Sequence, residues 1–201
     1  MDQDDNELHR QRMTRQKEAF EARKAQATQE KGLLIVHTGA GKGKTTAALG
    51  LAFRALGQGM RVGIVQFIKG AIPTGEAALA ARLAPALEMH TMGDGFTWNT
   101  QDRDKDIASA RTAWDRAVSL LRDPTFDLVI LDELNVVLKH VYLPQEEILT
   151  ELRDKRPMLH VVVTGRNARE ELIAMADLVT EMKLVKHPYR AGVKAQKGVE
   201  F

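Results

Sequence analysis

Thr38-Gly39-Ala40-Gly41-Lys42-Gly43-Lys44-Thr45-Thr46 directly follows the apolar run Leu33-Leu34-Ile35-Val36 and opens into a segment rich in Ala and Leu. A strand, a glycine-rich turn and a helix in that order form a cradle for nucleotide phosphates. Gly43-Lys44-Thr45 fits the end of the general pattern Gly-x-x-x-x-Gly-Lys-Ser/Thr, while Thr38 stands where its first glycine would be. Gly41 and Lys42 add backbone freedom and positive charge beyond what the pattern demands. Glycines at 39, 41 and 43 are expected to let consecutive N–H groups converge on an anion. The helix start contributes unpaired N–H groups and the positive end of its dipole. Lys44 supplies charge against the phosphate oxygens, and the Thr45 hydroxyl is placed to ligate Mg²⁺, a role Mn²⁺ could also fill.

Outward from this loop, apolar β-branched runs alternate with helical patterns. Strands are expected at Leu33 to His37, Arg61 to Phe67, Ala86 to Thr91, Asp127 to Leu131, His160 to Thr164 and Leu178 to Met182. Helices are expected at Lys44 to Leu56, Glu76 to Leu83, Asp102 to Leu121, Pro144 to Arg153 and Ala168 to Met175. Such alternation implies an α/β fold, a mostly parallel sheet flanked by helices on both faces, of the phosphate-loop NTPase-like (RecA-like) kind. The domain is expected to occupy residues 31–201. Residues 1–30 form a polar extension, either a helix that docks over a site or a mobile tail, with Leu8, Met13 and Phe20 as its sizeable apolar residues.

The 201 residues are 44% hydrophobic, enough for one domain with a substantial core. No cysteine is present, which excludes disulfides, thiolate metal sites and cysteine nucleophiles. A net charge of +2 gives no general footprint for nucleic acid. Apolar runs too short for a bilayer and an N-terminus without a signal-like apolar stretch point to a cytoplasmic protein with no membrane partner.

Phe126-Asp127-Leu128-Val129-Ile130-Leu131-Asp132-Glu133 is an apolar run that ends in two carboxylates. Alone, such a pair reads as a helix cap or a solvated turn; beside a phosphate loop it reads as a Mg²⁺ site, with the duties of Asp132 and Glu133 undivided. Arg166 emerges in Thr164-Gly165-Arg166 after Val161-Val162-Val163, either to brace a terminal phosphate or to form a surface salt bridge. His37, His90, His140, His160 and His187 show no metal-ligand spacing. In Gly93-Asp94-Gly95-Phe96-Thr97-Trp98-Asn99, two large aromatics lie two residues apart in a glycine-rich loop. They either fold into the core or form an apolar wall for a large flat ligand. The segment from Lys183 onward carries Lys183, Lys186, His187, Arg190, Lys194 and Lys197, a basic tail that is either solvated or in contact with a polar ligand.

From Gly32 to Phe201 the chain resembles the phosphate-loop corrinoid adenosyltransferases. The resemblance rests on His37 to Thr46, Gln66-Phe67-Ile68-Lys69-Gly70, Gly95-Phe96-Thr97-Trp98, Leu131-Asp132-Glu133-Leu134-Asn135, Thr164-Gly165-Arg166 and the ending Lys186 to Glu200. Ala40 departs from it, since the family often has asparagine there. The resemblance implies transfer of the 5′-deoxyadenosyl group of ATP to the Co(I) of a corrinoid, with release of triphosphate, in adenosylcobalamin synthesis or salvage. It further implies ATP bound in the reverse sense to that of ordinary phosphate-loop enzymes, for which Thr38, Gly41 and Lys42 would be adaptations. Lys44, Glu133 and Arg166 would serve catalysis; Thr38, Gly39, Ala40, Gly41, Lys42, Gly43, Lys44, Thr45 and Thr46 would hold ATP. Thr45, Asp132 and Glu133 would hold the metal, and Phe96 and Trp98 would cover the lower corrin face and displace its axial ligand. A reduced flavin or flavoprotein as electron donor and a homodimer are implied as well. A conventional ATPase or kinase, and an ATP-gated corrinoid-binding protein, are the rival classes.

Overall fold

A computed structural model describes residues 3–68, 74–92 and 102–200. By its contacts the chain divides into two compact units, Met1–Lys31 and Gly32–Phe201. The first contains one helix, α1 (Gln3–Gln26), which has no apolar face; its Leu8, Met13 and Phe20 are exposed.

In the second unit the elements run β1 (Leu34–Thr38), α2 (Lys44–Gly57), β2 (Val62–Gln66), α3 (Gly75–Arg82), β3 (Leu87–Thr91), α4 (Arg103–Arg122) and β4 (Leu128–Asp132). They continue with α5 (Leu134–His140), α6 (Gln145–Arg153), β5 (His160–Thr164), α7 (Glu170–Met175), β6 (Leu178–Glu181) and a 3₁₀ turn at Pro188–Ala191. The six strands lie in the order β3-β2-β4-β5-β1-β6 with every pairing parallel. This is the expected α/β class of phosphate-loop NTPase-like architecture.

Successive side chains on a strand face opposite ways, and that alternation divides the core in two. Leu34, Val36, Val65, Val129, Leu131, Val161 and Val163 pack on one face against α4, α5 and α6. Ile35, Val62, Ile64, Leu128, Ile130 and Val162 pack on the other against Ala48, Ala52 and Ala55 of α2 and Ala80 of α3. Because β1, β2 and β4 are buried on both faces, their sequences read as apolar runs that turn polar only toward their carboxyl ends.

The helices follow from spacing and caps. Ala110, Ala113, Trp114, Ala117, Leu120 and Leu121 repeat at three- and four-residue intervals, giving α4 one buried stripe. Each large apolar side chain on it contributes about 1.5–3 kcal/mol by leaving water. The Asp102 carboxylate caps α4 by accepting the N–H groups of Asp104 and Lys105, and Thr74 caps α3 through Ala77. In contrast, the N-cap of α2 is Gly43, with φ 106° and no side-chain cap, so its first N–H groups stay open to an external anion.

Helix α5 was not expected from the sequence. It is a short helix of about two turns directly behind the acidic pair, and its N-cap is Glu133 in the left-handed region (φ 63°) without a side-chain cap. Among the described residues no helix is long and apolar enough to cross a membrane.

Candidate active site

The carboxyl ends of β1, β4 and β5 converge. β5 lies between the other two, so the acidic strand end does not adjoin β1 in the sheet. Even so, the Thr45 hydroxyl at the start of α2 donates to Asp132 Oδ1 over 2.8 Å. Thr164, at the end of β5, donates to the same oxygen at 2.7 Å, while Gln66 Nε2 donates to Asp132 Oδ2 at 3.0 Å. Asp132 is thus a buried acceptor held from three strand or helix ends, which fixes its carboxylate in place. Gln66 also accepts from the Thr91 hydroxyl at 3.1 Å, extending the web to the end of β3.

The neighbouring carboxylate is differently placed. Glu133 is half-buried, and its backbone N–H donates to Thr164 Oγ1 at 2.9 Å. A non-glycine residue in the left-handed region costs roughly 1–3 kcal/mol, a cost tolerated where surrounding structure demands it. Asn135, fully buried on α5, donates from Nδ2 to the Gly165 carbonyl at 3.0 Å, just before exposed Arg166.

The loop's glycines have a reason beyond anion binding. A Cβ at Gly39 would lie 2.4 Å from the Met182 carbonyl oxygen, and one at Gly41 would lie 2.7 Å from that of Lys183. The chain leaving β6 lies directly on the loop. The Gly41 N–H donates to the Met182 carbonyl at 2.6 Å, and the Met182 N–H donates to the Thr38 carbonyl at 2.9 Å. The Gly41 N–H is thus engaged by the chain just after β6. The Thr38 hydroxyl accepts the Ala168 N–H at 3.1 Å, tying the loop to the turn that carries Arg166.

Lys44 is buried, and its ammonium donates to the Gly39 carbonyl at 2.9 Å and the Gly41 carbonyl at 2.6 Å. Burial is the main cause that lowers its pKa from the usual lysine value. Glu133 and Asp132 act against that shift and Arg166 and Lys42 act with it, so all four charges fall within electrostatic reach of one ammonium. Lys42 is exposed at the loop's outer side and pairs with Glu200 at 2.7 Å. Ala40 and Thr46 are also exposed.

The structure therefore gathers Thr38 to Thr46, Asp132, Glu133 and Arg166 at one end of the sheet. Phe96 and Trp98 lie outside the described residues, as do Lys69 and Gly70. Sequence reasoning gave no role to Gln66, Thr164, Asn135, Met182 or Glu200. For Gln66 and Thr164 a signal existed, since each is a polar residue closing an otherwise apolar strand. No local pattern marks Met182 or Glu200.

The hydroxyl–carboxylate pair tests the fit of a divalent cation. Thr45 gives its proton to Asp132 and so keeps its oxygen lone pairs for a hard cation, and Glu133 adds a second oxygen donor beside the loop. These oxygen donors fit Mg²⁺. His160 Nδ1 is taken up by the Leu33 N–H.

An all-parallel sheet, an uncapped helix behind a lysine-bearing glycine loop, and a carboxylate bonded to the loop's threonine define a phosphate-loop nucleotide enzyme of the α/β class. The chain belongs to the ATP:corrinoid adenosyltransferase family (BtuR/CobO/CobP), whose model matches residues 30–201. It is 54% identical to a corrinoid adenosyltransferase of Pseudomonas aeruginosa, over 98% of this chain and 97% of the relative. The corresponding Escherichia coli K12 protein is 46% identical, over 98% and 99%. The Salmonella typhimurium corrinoid adenosyltransferase CobA is 45% identical with the same coverage. Membership makes this protein a transferase that adenosylates corrinoids with ATP.

Proposed function

We propose that the protein transfers the 5′-deoxyadenosyl group of ATP to the Co(I) of cobalamin or cobyrinic acid a,c-diamide, in the synthesis or salvage of adenosylcobalamin. The observation that carries the site assignment is the Thr45–Asp132 bond, which joins the phosphate loop to the acidic strand end. Co(I) attacks the ribose C5′ carbon, the C5′–O bond breaks, triphosphate leaves with the bonding pair, and cobalt becomes formally Co(III). The nucleophile belongs to the substrate, so the chain needs no catalytic base.

Its residues have two tasks, alignment of cobalt with C5′ and stabilisation of charge on the departing triphosphate. Thr38, Gly39, Ala40, Gly41, Lys42, Gly43, Lys44, Thr45 and Thr46 hold the triphosphate at the open start of α2. Lys44 and Arg166 face the charge that grows on the leaving group, with Lys42 on the outer side. Thr45 and Glu133 hold Mg²⁺, and Asp132 orients Thr45. Bound there, the cation neutralises phosphate charge. Phe96 and Trp98 form the apolar wall against the lower corrin face and keep the axial ligand off Co(II), which eases reduction by a reduced flavin or flavoprotein. The protein acts in the cytoplasm as a homodimer.

The test is incubation with ATP, Mg²⁺ and a chemically reduced corrinoid. Loss of the Co(I) spectrum with equimolar triphosphate is expected. Formation of ADP or orthophosphate instead would overturn the assignment in favour of an ATPase or kinase, and stoichiometric binding without turnover would make the protein a carrier.

A further inference from the structure

The tail after β6 meets the phosphate loop twice. At its start Met182 engages Thr38 and Gly41 through the backbone, and at its far end the Glu200 carboxylate pairs with Lys42 at 2.7 Å. Seventeen residues separate the two contacts, six of them basic or histidine, yet the side chain that pairs with Lys42 is an acid. Within the loop Lys44 is likewise satisfied by the carbonyls of Gly39 and Gly41. Both lysines thus carry substitutes for phosphate oxygens drawn from the protein itself.

We propose that Glu200 is the internal counter-anion of Lys42, displaced when the triphosphate binds and returning to hasten departure of the product triphosphate. This rests on the reading of residues 38–46 as the triphosphate site. The physical need is plain: triphosphate is a product that carries all the loop's phosphate contacts and leaves without the adenosyl group. A carboxylate that competes for one of the loop's cations raises the free energy of the bound product relative to the empty site. Glu200 suits that exchange. Its side chain is 21% exposed and that of Lys42 47%, so the pair is weak enough to open and close. A single ammonium cannot serve both a carboxylate at 2.7 Å and a phosphate without sharing its three donors.

The test measures triphosphate inhibition and triphosphate dissociation in the full-length enzyme and in Glu200→Gln, Glu200→Asp, Lys42→Met and the double variant Lys42→Met/Glu200→Gln. Glu200→Gln is expected to bind triphosphate about three- to fivefold more tightly, by slower dissociation, with the difference shrinking as salt is raised. Glu200→Asp should fall nearer the parent, and in the Lys42→Met background the Gln substitution should have no effect. Weaker or unchanged triphosphate binding in Glu200→Gln, or an effect that survives loss of Lys42, would overturn the proposal. If instead Lys42→Met and Lys44→Ala both bind triphosphate as the parent does, the loop assignment itself fails along with it.

Discussion

Two lysines at opposite ends of the sheet make the same kind of contact. Lys44 Nζ donates to the Gly39 and Gly41 carbonyls, and Lys155 Nζ donates to the Gly32 and Leu159 carbonyls at 2.6 and 2.9 Å. In these carbonyl contacts they are alike. Their surroundings separate them. Lys155 joins the chain that precedes β1 to the chain that enters β5, at the amino end of the sheet. Lys44 stands beside Glu133, Arg166, Asp132 and Lys42 at the mouth of an uncapped helix. A lysine that satisfies carbonyls is scaffold at one end and a held cation at the other, and what differs is whether an anion has anywhere to bind.

The comparison breaks if the two lysines respond alike to substitution. Lys44→Ala should lower adenosyl transfer by at least about 100-fold, the scale of a lost charge-stabilising donor, with little change in folding. Lys155→Met should cost about 2 kcal/mol in denaturant unfolding while turnover per folded molecule stays near the parent's. Equal turnover in Lys44→Ala, or a turnover defect in Lys155→Met without loss of stability, would dissolve the distinction.

Much of the scaffold was legible because doubly buried strands leave apolar runs and α4 leaves a regular stripe. Its site was legible where chemistry demands a residue type in a fixed place, as for Lys44, Thr45 and Asp132. Helix α5 was not, because it starts at a left-handed Glu133 without a side-chain cap and its seven residues show the apolar spacing of Leu134, Val137 and Leu138 only once. Gln66 and Thr164 sit at strand ends that sequence places but whose lateral order it does not; only the order β2-β4-β5 brings both onto Asp132. Glu200 meets Lys42 across 158 positions, a distance over which local pattern says nothing.

The two carboxylates sharpen the contrast further. Asp132→Asn turns an acceptor of three donors into a group that must present its own N–H to one of them, and should cost roughly 1–3 kcal/mol of stability. Glu133→Gln should leave stability near the parent's and raise the Mg²⁺ needed for half-maximal transfer about tenfold. Unfolding curves and metal titrations of the pair distinguish them; an unchanged titration in Glu133→Gln would move the metal duty to Asp132.

A smaller effect tests the held cation directly. Burial disfavours the charged form of Lys44, so its folded pKa lies below the unfolded value of 10.5. Between the two values the unfolded chain holds more protons, and this group's contribution to stability rises with pH. Triphosphate favours the charged form, so ATP binding in that alkaline window should take up a proton and weaken as pH rises. Calorimetry of ATP binding in buffers of different ionisation enthalpy reads the uptake, which Lys44→Ala should abolish; proton release on binding would contradict it.

The contact between the loop and the edge strand has a consequence for transplantation. A glycine-rich phosphate loop is commonly pictured as a cassette that any strand-to-helix junction could accept. Here Gly39 and Gly41 are shaped against Met182 and Lys183, residues more than 140 positions later in the chain. Moved to another sheet without its edge strand and the segment beyond it, the same nine residues would lose the surface that moulds them. Heredity must therefore treat loop and chain end as one inherited unit, in which a change at either place is judged by the other.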